Sequence, residues 1–456
     1  MIIMKQIYTP NDYSHLESDS KMIQAAVDEA AKVGATVEIP RYNERTKSYI
    51  WELDESIILY TGSNVVLDNC HIRLGDFKYI NFFRNSASLT WQTEINRKDR
   101  EFDISITGRG NAVLDGGTPL DICEADFNIF DENGNFVKVV HPHGLPSMWE
   151  NIGLRFINVE RLKVQNIRFI NTRYWAMAFW YCSHGVVRDI SIKAENNVPC
   201  QDCVNMRLGT HNFLVENIYG YIGDDTIAMT GLDCQRFGKS DMNEDIHHII
   251  VRNVRSYQTG ECDIVRILPR GGTQIYNILL DGIMDFSEPG NGERPLAAIR
   301  IGDICDYPIR LNKLGEVRNL TIRNVSTRAR FGAYIANSLC DSIFDNIQLY
   351  EGNGMGMFFN GCEIKNVTVR DLCYDSLTVA PDTDLGYEEI FHRVKVDELN
   401  AVHFNNCTAE NLTFDGVRSG KKLSYVFGGN SPIDINADRV VITDENTKLT
   451  SCANVK

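Results

Sequence analysis

Leu162-Lys163-Val164-Gln165-Asn166-Ile167-Arg168-Phe169 alternates apolar and polar residues, which is the period of a strand and not of a helix. Its central phrase, an apolar residue, any residue, then Asn, Asp or Gly, then an aliphatic, recurs at Val187-Arg188-Asp189-Ile190, Val215-Glu216-Asn217-Ile218 and Val251-Arg252-Asn253-Val254. Further copies are Leu280-Asp281-Gly282-Ile283, Ile322-Arg323-Asn324-Val325, Phe344-Asp345-Asn346-Ile347, Val369-Arg370-Asp371-Leu372 and Phe414-Asp415-Gly416-Val417. From Asn166 to Asn253 the third positions are 23, 28 and 36 residues apart, and from Asn324 to Asp371 they are 22 and 25 apart, so the unit is about two dozen residues with insertions.

Strands this short cannot each carry a crossover helix, because a strand-helix-strand unit needs roughly 30 residues or more. The turns must be loops. The pattern predicts an all-β protein, a single-stranded right-handed parallel β-helix in which each repeat is one coil. A leucine-rich repeat shares the period but wants Leu at fixed positions, where this chain has mostly Val, Ile and Phe. The recurring Asn, Asp or Gly suits a tight turn that tolerates left-handed backbone. At the N-terminus, Ser18 or Asp19 can cap a helix whose Ile23, Ala26, Val27, Ala30 and Val33 form an apolar face ended by Gly34, which would cover the first coil. The expected organisation is one domain over 1–456: cap 1–45, coils 46–430, and a polar tail 431–456 that either folds over the last coil or hangs loose.

Of the 456 residues, 43% are hydrophobic and 23% charged, which excludes a disordered or fibrous chain. The net charge of −15 argues against general affinity for nucleic acid or anionic membrane. Residues Met1–Lys5 begin no signal-like apolar stretch and no run is long enough to span a bilayer, so a soluble, cytoplasmic protein is expected. Thirteen cysteines, an odd number spread from Cys70 to Cys452, read as reduced and buried.

Candidate chemistry lies where carboxylates cluster in the frame of the coils. Asp202 and Asp224 are 22 residues apart, close to one coil, and each precedes a strand, so both can start the same sheet on adjacent rungs. With Ile227 and Met229 inward, Asp225 would face the core unless the backbone bends, and burying an unpaired carboxylate costs several kcal/mol. A bend permitted by Gly223 would bring three Asp into one patch. Like charges that close raise at least one pKa and place a protonated acid beside an ionised base, as glycosidic cleavage requires. A turn-capping pair or a calcium site is the alternative reading.

Phe169–Thr230 resembles the polygalacturonases and their relatives, glycoside hydrolase family 28, which are right-handed parallel β-helices. The likeness is carried by Trp175 after Ile170-Asn171-Thr172-Arg173-Tyr174, by Cys182 with the following Val186-Val187-Arg188-Asp189-Ile190, by Gln201-Asp202 in place of Asn-Thr-Asp, and by Gly223-Asp224-Asp225. The cap ending Val37-Glu38-Ile39-Pro40 resembles the start of pectate-lyase-type β-helices and phage tailspikes. The resemblance implies that Asp224 protonates the leaving group while Asp202 and Asp225 activate water, with inversion and with no metal or other cofactor. Two motifs depart from the family. Gly260-Glu261-Cys262 stands where it has Gly-His-Gly, making Glu261 a candidate substitute, and Arg300-Ile301-Gly302 stands where it has Arg-Ile-Lys, leaving half of the uronate clamp absent. Arg266 and Arg270 are candidates to compensate.

Trp175, among Tyr174, Trp180 and Tyr181, is the candidate sugar platform. Cys200 and Cys203 lack a second close pair for zinc, and only one of His247 and His248 should point outward. The expected function is hydrolysis of a glycosidic bond in a pectin-like or related oligosaccharide, exo-acting if the insertions Leu232–Asp245 and Asp285–Pro295 wall the cleft. The alternatives are a polysaccharide lyase or intramolecular glycosyl transferase on the same fold, and a carbohydrate-binding, tailspike-like structural protein.

Overall fold

A computed structural model describes residues 7–76, 78–89, 94–118, 128–130, 136–139, 148–194, 198, 200–231, 239–258, 262–269, 272–287, 294–303, 311–350, 354–375, 398–420 and 423–456. They form two compact units, residues 1–225 with 233–243, and residues 226–232 with 244–456. Both are stacks of short parallel strands, so the fold is the right-handed parallel β-helix that the repeats predict.

In the first unit Lys163–Ile170 pairs in parallel with Val186–Lys193, which pairs with His211–Ile222. The register sets Val164 against Val187 and Val187 against Val215, and likewise aligns Ile167, Ile190 and Ile218. The repeated phrases therefore stack position for position, and their apolar members are buried. In the second unit the same columns run Val251, Leu280, Ile322, Phe344, Val369, Phe414 and Val254, Ile283, Val325, Ile347, Leu372, Val417. Successive rungs lie about 4.8 Å apart, so each apolar side chain rests on its equivalent above and below.

All nine third positions of the phrase have left-handed backbone, from Asp371 at φ 49° to Gly416 at φ 86°. Five residues before each lies a second left-handed residue: Arg161, His184, Asn212, His248, Asn277, Asn319, Asp341, Asn366 and Asn411. Asn and Asp enter this region with least penalty, because the short polar side chain bonds locally. Each coil thus carries two backbone corners five residues apart, the second of them within the paired strand, and the side chains at the corners link neighbouring rungs. Asn217 Nδ2 donates to Asp189 Oδ1 at 2.8 Å, Asn346 to Asn324 Oδ1 at 2.9 Å and Asn366 to Asp341 Oδ1 at 2.8 Å.

The helix Asp19–Val33 forms as predicted, with Ser18 Oγ accepting from the Lys21 amide and Gly34 left-handed at its end. Its buried face holds Met22, Ile23, Ala26, Val27 and Ala30, while Val33 is 59% exposed, because it lies in the last turn beyond the packed stripe. Asp19 is buried and bound to Arg45 at 2.7 Å. The C-terminal segment does not hang loose: Asp434–Ile442 pairs in parallel with Thr408–Ser419 and so covers that strand as a further rung, with Arg439 at the left-handed corner. Among the described residues the cysteines are free and no helix is long and apolar enough to cross a membrane.

Candidate active site

Asp202 lies just before the strand Val204–Met206, which pairs with Met177–Trp180. Its carbonyl accepts from the Ala176 amide at 2.8 Å, and the next amide, Cys203, donates to the Asp225 carbonyl at 3.0 Å. These bonds set Asp202 and Asp225 at the same place on adjacent rungs. The chain bends at Gly223 and Asp224, which brings both Asp224 and Asp225 to half-buried positions. Gly223 is needed for close approach: a Cβ there would stand 2.4 Å from Oε1 of Gln201, whose side chain is buried and donates to the Thr172 carbonyl at 2.6 Å. The expected bend is present, and one oxygen from each of Asp202, Asp224 and Asp225 lies within 4.8 Å of the other two.

Burial pushes the Asp202 carboxyl well above the ordinary carboxylate range, and the charges of Asp224 and Asp225 push the same way, against Arg207 and the Asn205 hydrogen bond. Burial therefore favours the protonated form of Asp202, and the three carboxyls titrate as one coupled group. Burial and charge thus oppose the water-activating role that the resemblance implies for Asp202.

Two residues of this site carry no motif. Asn205 is buried and donates to Asp202 Oδ2 at 2.6 Å. Arg207, also buried, places its guanidinium 4.7 Å over the Trp175 ring, with Nη1 3.5 Å from Asn205 Oδ1. Their signal in the sequence is parity. In Val204-Asn205-Met206-Arg207-Leu208 the apolar residues point inward, which leaves an amide and a guanidinium on the outer face immediately after Asp202.

Trp175 is not an open platform. It is 7% exposed, packed with Tyr174, Trp180 and Tyr181 in one buried cluster, and its face is taken by Arg207. Aromatic packing has put it beneath the cation instead of beneath a sugar.

Arg266 and Arg300, expected to face an open cleft, are buried at 5% and 4% exposure. Arg266 Nη2 bonds Asp303 Oδ2 at 2.6 Å, Arg300 Nη2 bonds the same oxygen at 3.0 Å, and Arg300 Nη1 lies 3.5 Å from Asp263 Oδ2. Burial raises the Asp263 carboxyl even against the two guanidiniums. Two arginines and two aspartates cancel inside the second unit, so neither arginine is a free carboxylate clamp. Gly302 cannot be the missing lysine's seat, since it is left-handed at φ 72° and a Cβ would meet the Ala336 carbonyl oxygen at 2.3 Å.

His248 is at a left-handed corner, φ 55°, which breaks the alternation, so neither His247 nor His248 is buried; His247 stacks on Tyr276 at 4.9 Å. Glu261 and Arg270 lie outside the described residues. Among the described residues, the Asp202, Asp224 and Asp225 oxygens are the set of acidic, His or Cys ligand atoms that could also chelate a divalent cation.

No family model matches the chain and no curated protein is similar to it. Solved β-helix proteins are. A Yersinia enterocolitica family 28 exopolygalacturonase is 14% identical, with a TM-score of 0.42, covering 98% of this chain and 78% of that one. The A-module of an Azotobacter vinelandii mannuronan C-5 epimerase, AlgE6, is 14% identical, with a TM-score of 0.43 over 98% of this chain and 99% of that one. The Streptococcus pneumoniae surface protein and adhesin PfbA is 12% identical, with a TM-score of 0.43 over 99% of this chain and 100% of that one. Their activities differ from one another, and none is transferred from them to this chain.

Proposed function

We propose that this protein is a glycoside hydrolase acting on a pectin-like or related oligosaccharide, supported by the convergence of three carboxylates of which the most buried is biased towards its protonated form. Asp224 donates a proton to the glycosidic oxygen as the C–O bond breaks. Asp225 takes a proton from the water that forms the new bond to the anomeric carbon. Asp202, too buried to touch the substrate readily, hands its proton to Asp224 and recovers the one that Asp225 takes from water, so the cluster ends each cycle with the proton it began with, and Asn205 fixes the Asp202 orientation. An inverting pair ordinarily stands about 6.5–9.5 Å apart with water between. Here the oxygens are within 4.8 Å, so water must sit on the exposed side of Asp224 and Asp225. Inversion then follows if it attacks opposite the leaving group; residues 232–238 and 288–293 of the two insertions lie outside the described residues, and exo action is read from the lengths of the products.

Because the site itself carries three carboxylates, fragments without a carboxylate at the scissile ring should be cleaved faster than oligogalacturonides. The purified protein is tested on neutral, rhamnogalacturonan and oligogalacturonide fragments with mass-spectrometric and proton-NMR readout. Hydrolysis products with inverted anomeric configuration are expected, and Asp224→Asn and Asp225→Asn each lower kcat by about 10²–10⁴ without loss of fold. A chelator-sensitive, ultraviolet-absorbing unsaturated product would show a lyase instead, and full activity in Asp224→Asn would remove it as the acid.

A further inference from the structure

A groove of about 340 Å³ lies on the first unit, lined on three successive rungs by Asn166 and Arg168, Asp189 and Ser191, and Asn217 and Tyr219, and by none of the three aspartates. Its position follows from the coil geometry. Asn166, Asp189 and Asn217 are successive left-handed corners, so the chain turns there on each rung and leaves an indentation running along the stack. Two residues beyond these corners, Arg168, Ser191 and Tyr219 are aligned on adjacent rungs and point out of the sheet. One wall is thus a row of amide and carboxylate groups and the other is a row ending in an aromatic ring.

Tyr219 is 47% exposed, and Tyr221, outward on the same face two residues later, is 41% exposed. Neither is used as core. An exposed tyrosine ring offers an apolar face to the C–H surface of a pyranose. Asp189 and the Asn amides present acceptors and donors in planar pairs, which match vicinal hydroxyls. Asn217 Nδ2 already binds Asp189 Oδ1 at 2.8 Å, which holds both side chains in place before any ligand arrives. The single guanidinium, Arg168, is offset by the single carboxylate, Asp189, so the groove favours an uncharged ligand over an anion. Its volume is at the small end of ligand sites, enough for one or two sugar rings.

We propose that this groove is a second, non-catalytic binding site for a neutral saccharide, with Tyr219 as its platform and Asp189, Asn166 and Asn217 as its hydroxyl partners. It goes beyond the hydrolase reading and does not depend on it, since binding at the groove is measured whether or not the protein turns over substrate.

The test is calorimetric titration of the full chain in an Asp224→Asn background with neutral gluco-, xylo-, manno- and galacto-oligosaccharides of two to four units, and with an oligogalacturonide as the charged comparator. At least one neutral oligosaccharide is expected to bind, with Tyr219→Ala weakening it at least tenfold and Tyr219→Phe restoring it within threefold. Ser191→Trp, which fills the groove from the middle rung, is expected to abolish the same binding while the thermal midpoint stays within a few degrees. In the otherwise native chain, Tyr219→Ala should leave kcat on a short soluble substrate unchanged. The proposal is overturned if no neutral oligosaccharide binds, if Tyr219→Ala and Ser191→Trp leave binding intact, or if the oligogalacturonide binds more tightly than every neutral chain. Absence of hydrolysis with groove binding retained would sink the hydrolase reading alone.

Discussion

At Asp202, burial and two neighbouring carboxylates all oppose ionisation, and their combined effect has a sign that can be measured. Between its ordinary value of 3.8 and its raised one, the folded state holds a proton that the unfolded state has lost, so stability falls as pH rises through that window. Asp202→Asn removes the charge and keeps an acceptor for Asn205. It is expected to raise stability at neutral pH by about 1–2 kcal/mol, to lose that advantage below pH ~4, and to abolish turnover. Thermal melts across pH check the first two. Gly302 makes the opposite kind of demand: Gly302→Lys, which would write the family's lysine back in, should destabilise by about 2–4 kcal/mol because of the Ala336 carbonyl and the left-handed backbone. It would not improve binding of a uronide. Gly282→Asn should be nearly neutral, since its φ of 76° suits Asn and the nearest atom to a new Cβ is 3.5 Å away. Asp303 accepts from both Arg266 and Arg300, so Asp303→Ala leaves two buried guanidiniums undercompensated and should cost about 3–5 kcal/mol, measured by denaturant unfolding.

At the scale of the strand, the second corner of each coil was readable and the first was not. The phrase ending at Asn166, Asn324 or Asp371 uses the residues that suit left-handed backbone and is followed by an aliphatic, so it repeats visibly. The corner five residues earlier holds Arg161, two histidines and an Asp among its asparagines, and a mixed set leaves no repeated word. The trio Asp202, Asp224 and Asp225 was likewise legible, because one-coil spacing places residues on adjacent rungs. Trp175, Arg266 and Arg300 misled, because alternation gives the side of a sheet but not what packs over that side. Asn324→Val should cost about 2–3 kcal/mol through the left-handed penalty and the lost bonds to Asp281 and from Asn346, whereas Asn324→Gly, which loses the same two bonds without the penalty, should cost about 1 kcal/mol. Chemical unfolding of the two variants separates backbone strain from the side-chain bonds.

For the whole chain, stability should behave as a sum of rungs and their contacts. Removing residues 434–456 would bare the Thr408–Ser419 strand, whose Thr413–Ser419 segment pairs with Asn436–Ile442. A lower melting temperature and concentration-dependent association are expected, because an open parallel edge recruits other chains. His403 sets an acid limit of its own. Burial brings its imidazole down to about 4, so as pH falls from 6.5 the unfolded chain takes up a proton that the folded one refuses. The chain should lose up to about 3 kcal/mol over that interval, and His403→Gln should remove the loss.

The paired corners have a further consequence for how such a chain changes over time. What must persist at each corner is tolerance of one backbone angle, and in this molecule Asn, Asp, Gly, His and Arg all supply it. The instruction for folding is therefore stored as an interval of five residues and a recurrence of about two dozen, not as letters. Mutation can replace almost every letter without erasing it, so the architecture can outlast any signature that comparison by identity would detect.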